Sequence, residues 1–156
     1  MNIHLLAIGQ RMPAWVDQGY KEYASRLSAT VQIELREIPA AKRVRNSVIE
    51  KIKQDEGKRL LAAVPQGAKI IVLDEQGKSQ TTKQLACHLD DWIQMSQDVA
   101  ILIGGADGLS AECLQKADYK WSLSEFTFPH PLVRIILVEQ MYRAWTLLNN
   151  HPYHRE

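Results

Sequence analysis

The sequence has few cysteines, and the two it has form no motif. Cys87 and Cys113 are isolated and fit neither a metal-binding nor a redox spacing, so we expect reduced, buried thiols. No apolar run reaches the roughly 18 residues that a membrane span requires. The N-terminal residues also lack the basic segment and the small-residue cleavage site of a secretory signal. These absences predict a cytoplasmic protein that makes no membrane contact.

A strong excess of either charge is also missing. The net charge is +1 at pH 7, which argues against a general polyanion binder. Residues 1–64 nevertheless carry 11 Lys and Arg against 7 Asp and Glu, whereas residues 65–156 carry 8 against 11. This basic N-terminal part permits contact with nucleic acid but does not establish it. The length of 156 residues is typical of one domain, spanning residues 1–156.

Strand-like and helix-like segments alternate along the whole chain. Thr81 and Gln84 have the spacing of a capping box, and Ser110 is a typical N-cap, so both indicate helix starts. Strands are predicted at 2–9, 31–38, 69–74, 98–105 and within 119–128, and helices at 13–27, about 46–64, after 81, after 110 and from 131 to about 149. Because strands such as "IIVL" and "AILI" are apolar throughout, both of their faces should be covered. The pattern predicts a single α/β domain with a mostly parallel sheet and helices on both faces.

Three consecutive predicted strands end in unusual sequences. They are "VLDEQGKSQ", "LIGGADGLS" and "WSLSEFTFPHP". Ligands of such sheets bind outside the carboxyl ends of the strands. The glycines fit neither G-x-G-x-x-G nor a P-loop, and a plain tight turn or an edge strand explains the same residues. Function therefore stays open at these three ends.

The last predicted helix is apolar around nearly its whole circumference. A helix of this kind is buried on every side, which predicts a subunit interface and a homodimer. Arg134 lies on the same side as Val138 and Met141 and needs a carboxylate or a ligand as its partner. Glu139 and Arg143 have the spacing of an ion pair on the helix surface.

Two further segments carry charged or titratable groups. Lys42, Arg43 and Arg45 follow a strand in "IPAAKRVRN", where they are either merely solvated or contact phosphates. The chain ends in "NNHPYHRE", whose side chains titrate, stack and bind anions. Packing across a dimer interface is the alternative explanation for this ending.

Taken together, "IPAAKR", "VLDEQGK", "LIGGADGLS", "WSLSEFTFPHPLVRIILVEQMYRAW" and "NNHPYHRE" resemble the RlmH (YbeA) family of the SPOUT superfamily. The likeness covers essentially the whole chain and departs at Ala41, where the family pattern has glycine. It implies a Rossmann-like homodimer with a C-terminal trefoil knot at about residues 98–149 and a catalytic tail at 150–156. It also implies S-adenosylmethionine as the cofactor and methyl transfer to N3 of a pseudouridine in 23S rRNA, with the assembled ribosome as substrate.

The resemblance also assigns residues. The cofactor site falls on the three strand ends already described, at Leu73, Gly104, Gly105, Leu123, Ser124, Glu125, Phe126, Thr127 and Phe128. In the tail, we expect His154 to take the N3 proton or orient the imide, and Arg155 to face a carbonyl oxygen or a phosphate. Tyr153 would stack on or hydrogen-bond the extruded base, and Arg143 would contact RNA. Lys42, Arg43 and Arg45 are the expected RNA-binding residues.

Three other functions are weighed against this one. A Rossmann-like oxidoreductase lacks the expected glycine motif. A non-catalytic ribosome-binding factor would use the basic loop and the tail without any reaction. A zinc site from His130, His151 and His154 lacks a carboxylate or a thiol to complete it, so we expect no metal.

Overall fold

The computed structural model describes residues 1–155. Strands and helices alternate from end to end, as the sequence pattern predicts. The strands are β1 (Asn2–Ile8), β2 (Gln32–Ile38), β3 (Lys69–Ser79), β4 (Val99–Ile103) and β5 (Tyr119–Ser122). The helices are α1 (Ala14–Ala24), α2 (Ile49–Ala62), α3 (Thr82–Gln94), α4 (Ala111–Lys116) and α5 (His130–Leu148).

Within the described residues, the strands form one sheet in the order β2-β1-β4-β3-β5, and every pair is parallel. Strand β4 is buried along its whole length because helices cover both faces of the sheet. Helices α1, α3 and α5 pack on one face, in a core that includes Leu5, Leu89 and Met141. Helices α2 and α4 cover the other face, where Leu60 and Cys113 are buried. The prediction of a parallel α/β domain is therefore confirmed.

The structure contains the hydrogen bonds expected at two of the predicted helix starts. Gln84 N donates to Thr81 Oγ1 over 3.1 Å, and Thr81 N donates to Gln84 Oε1 over 2.9 Å, which completes the capping box of α3. Cys113 N donates to Ser110 Oγ over 3.3 Å at the start of α4. Both caps fix the start of the helix that follows a strand, α3 after β3 and α4 after β4.

Two segments differ from the sequence prediction. Strand β3 continues to Ser79, so "EQGKS" is strand rather than loop; after an irregularity between Leu73 and Lys78 it pairs again with β5. Strand β5 has only four residues, and Leu123–Phe128 lie outside any strand. In this segment Ser124 Oγ accepts a hydrogen bond from Phe126 N. The bond closes a turn, so the chain does not continue the strand.

Helix α5 lies between α1 and α3 against the sheet. Its own chain therefore buries much of the apolar circumference that the sequence analysis assigned to a subunit interface. Val138, Met141 and Ala144 are fully buried, whereas Ile135, Ile136 and Leu147 are half-buried. The apolar composition of α5 is thus explained in large part without a second subunit.

Candidate active site and RNA-binding surface

A cleft of about 720 Å³ opens at the carboxyl ends of β4 and β5 and at the irregularity that follows Leu73 in β3. This is the edge where ligands of parallel sheets bind. Eight of the nine residues predicted for the cofactor line it, and they are Leu73, Gly104, Gly105, Leu123, Ser124, Phe126, Thr127 and Phe128. Glu125, the ninth, is exposed and does not line the cleft. The structure therefore brings the three strand ends into one concave site.

The glycine turn, residues 104–108, forms one wall of this cleft. Gly108 N donates to Gly105 O over 3.1 Å, and Gly108 has a φ of +83°. A Cβ on Gly104 would lie 2.9 Å from the carbonyl carbon of Gly108. Only glycine fits so close to the returning backbone, so the turn presents main-chain atoms to the cleft.

The opposite wall is the segment from Ser122 to Phe128. Ser122 Oγ donates to Ser124 O over 3.0 Å, and Phe126 N donates to Ser124 Oγ over 3.0 Å. The serine hydroxyls thus hold the segment in shape. Phe126 is 82% exposed at the lip of the cleft. Such a ring, next to fixed backbone amides and carbonyls, suits a heteroaromatic ligand.

Several cleft residues carry charge but were not assigned from the sequence. Asp74 and Glu75 follow Leu73, Asp107 belongs to the glycine turn, and Lys53 reaches the cleft from α2. Asp74 directly follows Leu73, and Asp107 lies two residues after Gly105. Their closeness to predicted cofactor-binding residues could have identified them from the sequence. Lys53 is distant in sequence from every cleft motif, and no local pattern marks it.

His130 also borders the cleft, at the first turn of α5. Its Nδ1 is buried and has no hydrogen-bond partner among residues 1–155. Burial lowers the pKa of His130, and the positive charge of Arg134 lowers it further. The imidazole is therefore held in its neutral form beside the cleft.

Arg134, one turn further along α5, has the carboxylate partner that its burial requires. It is 1% exposed, and its Nη1 donates to Glu37 Oε2 over 2.7 Å. Its Nη2 donates to the carbonyl oxygens of Ile8 and Gly9, over 3.2 Å and 2.9 Å. Arg134 therefore fastens the start of α5 to the carboxyl ends of β1 and β2.

The three predicted RNA-binding residues, Lys42, Arg43 and Arg45, are all exposed in the loop between β2 and α2. Arg43 forms an ion pair with Asp107 of the glycine turn. The basic loop, residues 39–47, therefore adjoins the cleft, although the two are far apart in sequence. This proximity places cations beside the cleft, where a nucleic acid entering it would pass.

The tail, residues 150–155, folds back along α5. Tyr153 Oη donates to Glu139 Oε1 over 3.0 Å, and the same oxygen accepts from Nε and Nη2 of Arg143, over 2.9 Å and 2.6 Å. The Arg143 guanidinium lies 4.9 Å from the centre of the Tyr153 ring, which also packs against Tyr142 at 4.7 Å. The expected pair of Glu139 and Arg143 is thus present. Burial and the bond to Glu139 raise the pKa of Tyr153 to about 12, so its hydroxyl stays a donor at neutral pH.

His154 lies further along α5, with Nδ1 3.3 Å from Thr146 Oγ1. Because Thr146 Oγ1 donates its own proton to Arg143 O over 2.7 Å, it accepts from Nδ1 of His154. Nε2 is then the basic nitrogen of the ring. His151 N donates to Thr146 O over 3.0 Å, and Arg155 is exposed.

The tail and the cleft of the same chain are not brought together. His130 borders the cleft at the start of α5, whereas His154 contacts Thr146, about 24 Å further along the helix at the usual rise per residue. The predicted catalytic and cofactor-binding residues therefore form two separate groups in one protomer. The three histidines of the zinc alternative are divided in the same way, with His130 at the start of α5 and His151 and His154 near its end.

The described residues offer neither a metal site nor a membrane span. Within residues 1–155, no three His, Cys, Asp or Glu side chains are grouped so that they could hold a metal ion. Within the same range, no helix combines the length and the apolarity needed to cross a bilayer.

Comparison with known proteins identifies relatives over the full length of the chain. A family model described as "Predicted SPOUT methyltransferase" matches residues 1–154. Proteins named "Ribosomal RNA large subunit methyltransferase H" from Hydrogenovibrio crunogenus and Thioalkalivibrio sulfidiphilus are each 53% identical over 156 residues, which is 100% of both chains. The protein of the same name from Methylococcus capsulatus is 55% identical over 155 residues, 99% of this chain and 100% of its own.

Two solved structures have a similar fold at low sequence identity. A methylase family protein from Neisseria gonorrhoeae has a TM-score of 0.55 and 10% identity, covering 97% of this chain and 95% of its own. A structure described under 2-OH methylation of C/U34 on tRNA has a TM-score of 0.50 and 16% identity, covering 96% and 97%. At these identities the likeness concerns the fold alone.

Proposed function

Because the chain belongs to the SPOUT methyltransferase family, we propose that it methylates N3 of a pseudouridine in 23S rRNA with S-adenosylmethionine as donor. The substrate is rRNA of the large subunit, in the assembled ribosome, and the reaction takes place in the cytoplasm. The observation that carries this proposal is the single cleft formed by the three strand ends, in a chain whose full-length relatives are named as rRNA methyltransferases. A nucleotide-dependent oxidoreductase has no comparable support.

The residues of the cleft suit S-adenosylmethionine. At Gly104 the turn packs against the returning backbone of Gly108, and this tight turn presents main-chain atoms on which a ligand can bind. Main-chain groups of Leu123–Phe128 would hold the adenine, and the carboxylates of Asp74 and Glu75 suit a positively charged ligand. When bound, the cofactor supplies an electrophilic methyl group.

The residues of the tail supply the groups that the acceptor base needs. N3 of pseudouridine carries an imide proton, which must leave at or before methyl transfer. With Nδ1 donating to Thr146, His154 presents Nε2 as the acceptor for that proton. Arg155 would stabilise negative charge on the imide carbonyl, and Tyr153 and Arg143 would position the extruded base.

The separation of tail and cleft supports a composite site in a homodimer. About 24 Å along α5 separates His154 from the cleft of its own chain. We propose that the tail of one protomer completes the cleft of its partner. The half-buried residues Ile135, Ile136 and Leu147 of α5 leave apolar area for such an interface.

The C-terminal trefoil knot also remains a proposal. Strand β5 lies outside β3 at the edge of the sheet, yet the next helix, α5, lies between α1 and α3. Passage of residues 123–129 beneath the connection from β3 to α3 would tie the knot that the family resemblance implies.

Labelled S-adenosylmethionine and ribosomes from a strain lacking this protein test the function directly. We expect label in 23S rRNA, at one pseudouridine identified by mass spectrometry. His154→Ala and Arg155→Ala should lower methyl transfer at least about a hundredfold and leave binding of S-adenosylhomocysteine within about threefold. Arg36→Ala, on the exposed side of β2, is the matched control for Arg155 and should be fully active.

Two outcomes would overturn the proposal. Binding of ribosomes without transfer of label would identify a non-catalytic ribosome-binding factor. Methyl transfer by His154→Ala within a few-fold of the natural rate would remove His154 from the chemistry.

A further inference from the structure

We propose that Glu56 couples the basic loop to the glycine turn, so that RNA bound at the loop and cofactor bound at the turn strengthen each other's binding. The ion pair between Arg43 and Asp107 is the second link between the same two segments. This inference rests on the function proposed above, since it concerns the cofactor and the RNA of that reaction. It assigns a positioning role to a residue of α2 that touches neither of them.

Glu56 is a buried carboxylate between the two segments. It is 4% exposed, and its Oε1 accepts a hydrogen bond from Ala41 N in the basic loop over 3.1 Å. Its other oxygen, Oε2, faces the glycine turn, and a Cβ on Gly105 would lie 3.1 Å from it. One carboxylate group therefore binds the backbone of the basic loop and lies beside the glycine turn, although the two segments are separated by more than 60 residues in sequence.

The hydrogen bonding of this carboxylate is incomplete. Oε2 has no donor among residues 1–155. A buried carboxylate oxygen without a donor is costly, so a small shift of the glycine turn that presents a backbone N–H to Oε2 is favoured. Because both oxygens belong to one rigid carboxylate, a contact that draws Oε2 towards the turn also moves Oε1 and with it the bond to Ala41. Gly105 lines the cleft, so an occupied cleft acts directly on this contact.

The ion pair of Arg43 with Asp107 links the same segments at the surface. Asp107 lines the cleft, and its side chain is 14% exposed. Arg43 is 50% exposed and is one of the cations that would contact RNA. A phosphate that binds Arg43 breaks its pair with Asp107, and a ligand in the cleft that binds Asp107 breaks the same pair. The ligand that binds first therefore removes a cost that the second would otherwise meet, so each strengthens the binding of the other.

The start of the basic loop is fixed to α2. Arg59 Nη1 donates to Pro39 O over 2.8 Å, while Arg59 Nη2 donates to Asp55 Oδ2 over 2.7 Å. The part of the loop beyond Ala40 then depends on Glu56 and Asp107 for its position relative to the cleft. The two links thus set where the cations lie when the cofactor is present.

Coupling of this kind is reciprocal, so it can be measured from either side. The first measurement is the Kd of fluorescently labelled protein for purified ribosomes, with and without saturating S-adenosylhomocysteine, which binds but cannot react. The second is the Kd for labelled S-adenosylhomocysteine, with and without saturating ribosomes. The coupling ratio is the Kd measured without the second ligand divided by the Kd measured with it. For the natural protein we expect this ratio to be at least about five in both measurements.

Glu56→Gln is the critical variant. It keeps the size of the side chain and an oxygen for Ala41, but replaces the acceptor atom Oε2, which faces the glycine turn, with an NH₂ donor. We expect its coupling ratio to fall below about twofold, with the Kd for S-adenosylhomocysteine alone within about threefold of the natural value. Glu50→Gln makes the same chemical change at an exposed position of the first turn of α2 and should keep the natural ratio.

Asp107→Asn is the second variant and should lower the coupling ratio as well, even where Glu56→Gln proves too unstable to purify. A natural protein that binds both ligands with a ratio of one, or a folded Glu56→Gln and Asp107→Asn that both keep the natural ratio, overturns the coupling. Failure of the natural protein to bind S-adenosylhomocysteine or to methylate rRNA would instead overturn the proposed function. The two failures are therefore distinguishable.

Discussion

Glu139 and Tyr153 are joined by a hydrogen bond of 3.0 Å that ties the tail to the outer side of α5. The same carboxylate oxygen receives two hydrogen bonds from Arg143. A single acidic side chain thus organises the two groups that we expect to meet the RNA base. The pairing of Glu139 with Arg143, which a surface helix could show for stability alone, also serves to orient the tail.

Replacing Tyr153 separates the role of its ring from that of its hydroxyl. Tyr153→Phe keeps the contacts with Tyr142 and Arg143 and loses only the bond to Glu139. If the ring positions the base, Tyr153→Phe should stay within about tenfold of natural methyl transfer, while Tyr153→Ala should fall a further tenfold or more. Single-turnover rates on ribosomes measure both. Equal losses for Phe and Ala would show that the hydroxyl, and not the ring, is needed.

Mixed dimers test whether the tail acts on the partner's cleft. Thr127→Arg places a long side chain at the exposed lip of the cleft and should abolish cofactor binding, whereas His154→Ala removes the tail's base. Each homodimer should be inactive. Refolding the two variants together should restore activity in the mixed dimer, because one of its two composite sites is intact. Activity that stays absent in purified mixed dimers would mean that each tail serves its own chain.

Glu37 should contribute more to the free energy of unfolding than exposed residues usually do, because it pairs with the buried Arg134. Glu37→Gln leaves Arg134 buried without its carboxylate, and we expect the free energy of unfolding to fall by about 2–4 kcal/mol. Glu34→Gln, on the same strand and exposed, should change it by less than about 0.5 kcal/mol. Denaturant unfolding followed by circular dichroism measures both variants. An equal effect of the two would show that the carbonyl oxygens of Ile8 and Gly9 suffice for Arg134.

His130 should make the fold sensitive to mild acid. Its pKa is lowered in the folded chain, so the unfolded chain binds the proton more readily once the pH falls below about 6.5. The stability contributed by neutral His130 is therefore complete above that pH and is lost as the pH falls towards the folded-state pKa. Between about pH 7.5 and about pH 5.5, natural protein should lose more unfolding free energy than His130→Gln. The same loss in both would assign the acid sensitivity to other groups.

Much of the fold could be predicted because its signals are local. The capping box at Thr81 and the cap at Ser110 depend on residues three apart, and both are present in the structure. The continuous apolar strands predict a sheet that is covered on both faces. The continuation of β3 to Ser79 could not be foreseen, because Glu75 and Gly77 have poor strand propensity and pairing with β5 resumes only at Lys78 and Ser79.

Some residues of the candidate site could also be predicted from local sequence, and others could not. Gly104 and Ser124 are visible in the sequence because unusual residues follow apolar strands. Lys53 and Glu56 lie in an ordinary amphipathic helix, and only the packing of α2 brings Lys53 to the cleft and Glu56 to the glycine turn. Long-range proximity of this kind leaves no periodic trace in one sequence. The apolar surface of α5 is explained in large part by α1 and α3, which cover much of it, and a partner subunit on the remainder stays a prediction.

The length of α5 has a consequence for how the rate depends on protein concentration. The cleft lies at one end of the helix and His154 near the other, so in the composite site that we propose neither half is sufficient alone. On dilution below the Kd of the dimer, the methylation rate per chain should therefore fall in proportion to the fraction of paired chains. Cofactor binding per chain, which needs one cleft only, should not follow that decline. The cell would then set the onset of this modification through how much of the protein it makes.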